Sequence, residues 1–461
     1  MSRVEENRMG TRRMSSLVLL TGIPLMLSLL VNSLYNFVDS MFVSRVSEDA
    51  LTALSLASPV QLLVSALGLG NAVGLNALIS KALGEKNEQQ VRKAADAAIF
   101  LAFCSWLLIA LLGLLLVKPY FVWQSGGDER LIQYGVSYLS VCMLFSVGQM
   151  GQWVFDRFVI ASGRSGLFLL TLSAASVTNL ILDPIFIFGL LGLPRMETFG
   201  AALATVIGQM VGMLAGIVVN RKMNREIPFG LTLRPDGRSI LEILKVGIPS
   251  ALVQVLTSFV GILMNSILIA FSNTAVAVYG ICNRVSGIAL VGVHGIDNGV
   301  IPTVAYNYGA ANKKLVPGAE KRVSDAVKWA MLYSVLFYLA FLVVLEFAPV
   351  SVLRIFDASD HMMAIGIPAL RTMALAWLIS IPALVMSAGL QGLSLGMSSM
   401  VVTMLRQAAL PLVFAWMISK AGKIDLLWYG FVLAELIGIP LAVRFWRKGY
   451  KQNVLQSDPG L

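Results

Sequence analysis

The 461-residue chain carries little charge: Asp, Glu, Lys and Arg make up 13% of it, about half the ~25% of an ordinary soluble domain. Hydrophobic residues make up 57%, and the mean hydropathy is +0.79. So few charges cannot cover the surface of a soluble protein of this length. A helical span takes about 20 apolar residues, so a dozen spans take about 240 and leave only short loops. The composition therefore predicts an all-α integral membrane protein and excludes a large soluble catalytic domain.

Cysteine and histidine are also scarce. The three cysteines, Cys104, Cys142 and Cys282, lie in apolar runs, and the two histidines, His294 and His361, are far apart. This pattern excludes a disulfide framework and a zinc or haem site. The chain also lacks an HExxH motif or an evident nucleophile–base set. We therefore predict that it is not an enzyme and needs no cofactor.

Twelve apolar segments are separated by short polar ones. They cover approximately 15–43, 50–80, 94–117, 131–160, 166–190, 198–220, 246–271, 275–308, 326–348, 363–391, 394–419 and 426–446. The proline- and glycine-containing stretch 221–245 is typical of a linker. The predicted division is a six-helix N-terminal lobe (1–220), a cytoplasmic linker (221–245), a six-helix C-terminal lobe (246–446) and a cytoplasmic tail (447–461).

The positive charges are unevenly distributed. Of the 35 Lys and Arg residues, 24 lie in the N-terminal tail and in the loops after every second span, and 7 in the alternate loops. The positive-inside rule then predicts a multi-pass protein of the inner (plasma) membrane with both termini in the cytoplasm. The net charge of +10 is thereby explained by topology, and no nucleic-acid partner is expected.

The two halves of the chain repeat. Gly22-Ile23-Pro24 recurs as Gly247-Ile248-Pro249, and the same offset relates further pairs. They are Ser33 and Ser258, Ala50 and Ala275, Gly74 and Gly299, Gly84 and Gly309, and Asn87 and Asn312. A six-span repeat keeps its orientation, which predicts two parallel lobes around a central cavity and transport by alternating access.

Asp39 lies in the first span on a polar stripe. Its neighbours at helical spacing are Ser28, Asn32, Tyr35 and Asn36. A charge near the bilayer centre costs at least ~2.5–3.5 kcal/mol, so an intramembrane carboxylate is a candidate functional group. The alternative is a structural hydrogen-bond network between helices.

A second polar face lies in the fifth span. Ser176, Asn179 and Asp183 share this face, and Pro184 leaves a carbonyl oxygen of the preceding turn without its helical donor. Asn179 and Asp183 supply oxygen ligands suited to a hard cation, so Na⁺ at Asp183 is the one metal ion that we expect. The same carboxylate is equally suited to carrying a proton.

The second half of the chain lacks both carboxylates. Met264 is the counterpart of Asp39 and Leu410 that of Asp183, which predicts a cation site in the N-terminal half alone. Asp297, three residues after His294 in the eighth span, has two interpretations. It handles substrate or protons together with His294, or it makes a buried hydrogen bond to a neighbouring helix.

The chain resembles the multidrug and toxic compound extrusion (MATE) transporters, in particular the DinF-type and MepA-type branch. The resemblance covers essentially all twelve spans and rests on motifs in the first, fifth, sixth and eighth. They are Pro24 and Asp39, Asn179-Leu180-Ile181-Leu182-Asp183-Pro184, Gly200-Ala201-Ala202-Leu203-Ala204-Thr205, and Pro302 with Ala305-Tyr306-Asn307-Tyr308-Gly309-Ala310.

The resemblance implies export of lipophilic, often cationic, drugs in exchange for Na⁺ or H⁺. It implies a cation site at Asp39, Asn179, Asp183 and Thr205, and a hinge at Pro24. Many similar proteins have Glu where Asp297 stands. The NorM branch carries acidic residues on the tenth span, whereas residues 377–391 here have none.

The expected partners are therefore small lipophilic organic molecules and membrane lipid, and the protein is expected to be a monomer. The alternative function is that of a MATE-like flippase for a lipid-linked precursor. Its anionic diphosphate calls for cavity Arg or Lys, and Arg284, Arg371 and Arg406 lie in or near spans.

Overall fold

The computed structural model describes residues 7–232, 234–356, 358–420 and 424–455, and within these ranges the regular structure is helical. The first part contains α1 (Arg8–Thr11), α2 (Met14–Ser44), α3 (Glu48–Gly84), α4 (Glu88–Gln124), α5 (Glu129–Leu144), α6 (Val147–Ala161), α7 (Ser165–Phe188), a 3₁₀ turn (Leu190–Gly192) and α8 (Glu197–Met223). The second part contains α9 (Gly237–Leu268), α10 (Asn273–Ala289), α11 (Val291–Asn312), α12 (Ala319–Phe347), α13 (Pro349–Arg354), α14 (Asp360–Gly392), α15 (Gly396–Met404), α16 (Leu410–Ser419), α17 (Ile424–Leu427) and α18 (Tyr429–Tyr450). Two π-helical segments, Leu405–Ala409 and Lys451–Leu455, precede α16 and follow α18. Of the predicted tail 447–461, residues 456–461 lie outside the described part.

Ten helical stretches in the described ranges are long and apolar enough to cross a membrane, with Gly396–Ser419 and Ile424–Leu455 each counted as one stretch. The number is twelve when each of two bent helix pairs is counted as one span. The pairs are α5 with α6, bent by 45°, and α10 with α11, bent by 51°. The predicted fourth and eighth spans, 131–160 and 275–308, are therefore each broken into two helices. In both pairs the first helix ends before a short break at Phe145–Ser146 or Leu290. Hydropathy alone did not reveal these breaks because the residues at them are not strongly polar.

The contacts divide the described chain into two compact units. The N-terminal unit is Leu27–Ala251, and the C-terminal unit is 7–26 together with 252–455. Both boundaries lie two residues after a proline inside a long helix, Pro24 in α2 and Pro249 in α9. The lobe limits at 220 and 246 stay a prediction.

The sequence repeat has a counterpart in the contacts of each unit. A Cβ added to Gly74 would lie 3.1 Å from the Gly247 nitrogen, and one added to Gly299 would lie 3.3 Å from the Gly22 nitrogen. Each pair therefore brings the start of a long helix into close packing with another helix of the same unit, as small residues allow in membranes.

The N-terminal caps repeat as well. Ser47 accepts a hydrogen bond from the Ala50 N–H at the start of α3, and Ser272 accepts one from the Ala275 N–H at the start of α10. Such caps satisfy backbone donors that a helix leaves unpaired at its first turn. The same residue type at the same offset of 225 thus starts the second helix of each repeat.

The outer faces of the helices are apolar. On α4 the exposed side chains include Leu107, Leu111, Leu114 and Leu115, each more than half exposed. In water such a stripe would be an aggregation hazard, whereas in a bilayer it contacts acyl chains at no cost.

Filling the close helix contacts should destabilise the fold. In Gly74→Ala the new Cβ would lie 2.0 Å from the Ile243 carbonyl oxygen. We expect a destabilisation of about 1–3 kcal/mol and a lower Tm in detergent, as overpacking typically gives. Gly261→Ala in α9, where a Cβ meets nothing within 4 Å, is the matched control and should keep or raise the Tm. Equal Tm values for both variants would refute this packing account.

Candidate functional site

The N-terminal unit contains a cavity of about 610 Å³ lined by residues of α2, α3, α5, α6, α7 and α8. Much of its lining is polar, although the helices that form it are apolar on their outer faces. The amide side chains on the lining are Asn32, Asn36, Gln61, Gln149, Gln152, Asn179 and Gln209, and the charged ones are Asp39, Asp156 and Arg157. A polar cavity within helices of this kind marks a pathway or binding site for a polar or charged species.

Asn179, Asp183 and Thr205 form one hydrogen-bonded group on α7 and α8. The Asn179 amide nitrogen donates to Asp183 Oδ1 and to Thr205 Oγ1, each over 3.3 Å. Asn179 is 2% exposed and Asp183 is 0% exposed. Asn179 Oδ1 and Asp183 Oδ2 have no hydrogen-bond partner among the described residues. The group therefore presents unsatisfied oxygens, which a cation or a proton would satisfy.

Gly208 allows this close approach of α7 and α8. A Cβ at this position would lie 2.9 Å from the Ala175 carbonyl oxygen and 3.0 Å from the Asn179 Cβ. Glycine is thus needed here for space, because its Cα packs directly behind the Asn179 side chain.

Asp39 reaches the same group from α2. Its carboxyl group lies within hydrogen-bonding reach of the Asp183 carboxyl group, and Tyr35 from the same helix reaches Thr205. Asp39 Oδ1 has no hydrogen-bond partner among the described residues. Two carboxylates this close repel each other strongly in a low-dielectric site unless a proton or a cation lies between them.

The predicted supporting residues line the same cavity but differ in their hydrogen-bond partners. Asn32, Tyr35, Asn36 and Ser176 are all on its wall. The Asn36 amide donates to the Asn32 carbonyl oxygen over 2.8 Å, so part of its hydrogen bonding is used within its own helix. Tyr35 contacts Thr205 of the Asn179–Asp183–Thr205 group.

Asp297 and His294 belong to the C-terminal unit. Asp297 is 8% exposed, and its Oδ1 has no partner among the described residues, whereas His294 is exposed. Asp297 interacts electrostatically with Arg406, which pairs with Glu435 over 2.7 Å.

Asp156 on α6 was not among the predicted site residues. Asp156 is 2% exposed, lines the cavity and accepts a hydrogen bond from Thr171 of α7. The available signal was Gln152, which stands four residues earlier and so on the same face of the helix.

The donor set limits the kind of ion. Among the described residues there is no group of three or more His, Cys, Asp and Glu side chains that could hold a metal ion. Asp39, Asn179, Asp183 and Thr205 offer oxygen atoms, with two carboxylates, which suits a hard monovalent cation better than a transition metal.

Comparison with known proteins settles the family. The MatE family model matches the chain twice, over residues 24–185 and 249–417, which together are well over half of it. The chain belongs to the MatE family. The two matches begin at Pro24 and Pro249, so the family unit itself occurs twice at the offset of 225. Members of this family are transporters and not enzymes, so the expected class of activity is confirmed.

Relatives and solved structures agree with this assignment. The chain is 26% identical over 347 residues to the multidrug export protein MepA of Staphylococcus haemolyticus, covering 75% of this chain and 74% of that protein. It is 25% identical over 317 residues to an FAD transporter of Shewanella oneidensis, covering 66% and 67%. A structure described as MATE in the bent conformation matches with a TM-score of 0.88 and 22% identity over 98% of this chain and 99% of that one. The all-α, two-lobe membrane fold expected from the sequence is confirmed.

The close packing of Gly208 against Asn179 leads to a testable prediction. Gly208→Ala should push α7 away from α8 and separate Asn179 from Thr205. We expect faster hydrogen–deuterium exchange in residues 175–183 of the purified variant, because the local helix packing is weakened. Gly261→Ala serves as the control. Unchanged exchange in Gly208→Ala would show that α8 does not position Asn179.

Proposed function

We propose that this MatE-family transporter is a secondary active antiporter that exports lipophilic, often cationic, organic molecules in exchange for Na⁺ or H⁺. The observation that carries the proposal is the group of Asp39, Asn179, Asp183 and Thr205, of which Asp39, Asn179 and Thr205 line the N-terminal cavity. Export of multiple drugs is also the activity named for the MepA relatives.

The two carboxylates provide a physical basis for exchange. When both are ionised, their repulsion is relieved by whatever positive charge enters the cavity. A proton or Na⁺ does this by direct contact, and an organic cation does it from the larger polar cavity beside them. Both occupants therefore lower the same unfavourable energy, so binding of one weakens binding of the other.

Alternating access requires a point at which a long helix bends. Pro24 lies inside α2, two residues before the chain passes from the C-terminal unit to the N-terminal unit. Its ring has no N–H to donate, which weakens a helix locally. We assign Pro24 as the hinge, and the bent conformation named for a structure of the same fold supports such bending.

Charge distribution and surface composition support the proposed membrane topology, lipid contact and monomeric state. The excess of Lys and Arg in alternate loops supports a multi-pass protein of the plasma membrane with both termini in the cytoplasm. The apolar outer faces support contact with membrane lipid. The cavity is lined by residues of the N-terminal unit of a single chain, which supports a functional monomer.

Arg157 supports a second candidate function. It lies on the cavity wall beside Asp156, so the cavity also offers a cation to an anionic cargo, as a flippase for a lipid-linked precursor requires. A relative named as an FAD transporter fits an anionic cargo as well. Loss of transport of an anionic lipid probe in Arg157→Gln, with dye efflux retained, would favour this candidate.

Efflux from proteoliposomes tests the leading proposal. Vesicles are loaded with a fluorescent cationic dye and exposed to an imposed Na⁺ gradient, a pH gradient or neither. We expect one of the two gradients to drive dye across the membrane, and that gradient identifies the coupling ion. Dye movement that is independent of both gradients would contradict antiport.

Asp183→Asn should uncouple the transporter. The amide keeps the size of the side chain but cannot bind a cation or proton as the carboxylate does. In the absence of the coupling ion we expect weaker dye binding than in wild type, because one of the two charges that attract the dye is gone. We also expect at least a tenfold loss of gradient-driven efflux. The measurement is dye displacement by Na⁺ or by acidification, and Asp39→Asn should behave in the same way. Equal displacement from wild type and Asp183→Asn would place the cation site elsewhere.

Asp297→Asn separates coupling from substrate handling. Because Asp297 belongs to the C-terminal unit, we expect changed dye affinity or turnover with the ion dependence retained. Initial rates over a range of dye concentrations, with and without the ion gradient, distinguish an effect on dye handling from an effect on ion coupling. A variant that moves dye but ignores the gradient would show that coupling is not confined to the N-terminal unit.

A further inference from the structure

The side chains around Asp156 repeat the donor set of the Asn179–Asp183–Thr205 group. Asp183 has an amide, Asn179, four residues earlier on its own helix and a threonine, Thr205, on the next helix. Asp156 likewise has Gln152 four residues earlier on α6 and Thr171 on α7.

The second set is as deeply buried as the first. Gln152 is 6%, Asp156 2% and Thr171 1% exposed, and Asp156 Oδ2 has no hydrogen-bond partner among the described residues. Gln152 and Asp156 line the same cavity as Asp39 and Asn179. A buried carboxylate oxygen without a donor is costly unless a positively charged ligand reaches it.

The packing behind the two sets repeats as well. A Cβ at Gly208 would meet Asn179, and one at Gly212, a helical turn later on α8, would lie 2.6 Å from the Gln152 side-chain carbon Cδ. Asn179 and Gln152 thus each pack closely against a glycine of α8. Such support fixes the orientation of a ligand side chain and reduces the entropy lost when an ion binds.

Thr171 is able to turn its oxygen towards a cation. Its hydroxyl group lies 2.5 Å from Asp156 Oδ1 and 3.0 Å from the Phe168 carbonyl oxygen. The single hydroxyl proton is donated to one of these acceptors at a time. When it is donated to Phe168, a threonine lone pair and the Asp156 carboxylate are both free to coordinate an ion.

Arg157 sets the strength of such a site. It follows Asp156 in the chain, lines the cavity and interacts electrostatically with the Asp156 carboxylate. A fixed positive charge nearby weakens the binding of a second one. The site therefore suits an ion in passage better than one held permanently.

We propose that Gln152, Asp156 and Thr171 form a second binding site for a hard monovalent cation, specifically Na⁺, in the N-terminal cavity. Eight residues of α7 separate Thr171 from Asn179, or about 12 Å at 1.5 Å per residue. The two sites thus lie at different depths of one cavity. The role of this second site, as a station that the coupling ion visits on its way to or from Asp183, rests on the proposed function.

Equilibrium binding of ²²Na⁺ to the purified full-length protein in lipid nanodiscs tests the site without any transport assay. Wild type should bind one more Na⁺ per molecule than Asp156→Asn at saturation. Asp183→Asn should keep the ion that Asp156→Asn loses. Equal amounts bound by wild type and Asp156→Asn, or no binding by wild type, would overturn the proposal.

Two substitutions of Thr171 test the site independently of whether Asp156→Asn folds correctly. Thr171→Ser keeps the hydroxyl group and should bind ²²Na⁺ at the second site within about twofold of wild type. Thr171→Val is nearly isosteric but lacks the oxygen ligand, and we expect at least a tenfold weaker second site. Identical affinities for the two variants would refute a ligand role for Thr171 and with it this donor set.

The binding result is separate from the proposed antiport. If dye efflux ignores both gradients while Asp156→Asn still lacks one bound Na⁺, the antiport proposal fails and the second site stands. If efflux is coupled while Asp156→Asn binds as much Na⁺ as wild type, the second site fails and the antiport proposal stands.

Discussion

The repulsion between two buried carboxyl groups governs the chemistry of this transporter. Asp39 and Asp183 lie within hydrogen-bonding reach of each other inside a helical unit whose outer face is apolar. Placing two negative charges there is unfavourable, so the site is stable only with a positive charge beside them. The surrounding amides and hydroxyl groups orient the carboxyl groups but do not neutralise them. A site of this kind responds to protons, to Na⁺ and to organic cations through one and the same interaction.

Close helix packing is what brings these groups together. The glycines of α8 allow α7 to approach until Asn179 bridges Asp183 and Thr205. Glycines also allow the long helices to pack closely, as the contacts of Gly74 with Gly247 and of Gly299 with Gly22 show. In a membrane, where apolar contacts between helices have no advantage over contacts with lipid, van der Waals packing and hydrogen bonds across small residues supply the specificity.

Much of this organisation follows from the sequence. Long apolar segments and the offset of 225 predicted a helical membrane protein with a duplicated unit, and the two MatE matches confirm the duplication. Polar residues at helical spacing predicted that Asp39 and Asp183 are interior groups, because a charge facing lipid is costly. The motifs shared with MATE transporters added Thr205, which its position in the sequence alone did not single out.

Other features depend on three-dimensional contacts that periodicity does not encode. The bends at Phe145–Ser146 and Leu290 occur in apolar sequence, so hydropathy treats each helix pair as one span. Asp156 lies close to a predicted cytoplasmic loop, and nothing in the sequence indicates that it is buried and hydrogen-bonded to Thr171 of the next helix. Sequence spacing within one helix reveals a shared face, but not which neighbouring helix completes a site.

Competition between ion and drug at the purified wild-type protein tests the central claim most directly. The Kd of a fluorescent cationic dye would be measured against Na⁺ concentration at constant pH, and against pH without Na⁺. Neutralisation of Asp39 and Asp183 by Na⁺ or by protons predicts that the Kd of the dye rises steadily with the concentration of one of these two ions. A Kd that is independent of both would show that dye and cation do not share the electrostatic site, and would contradict this account.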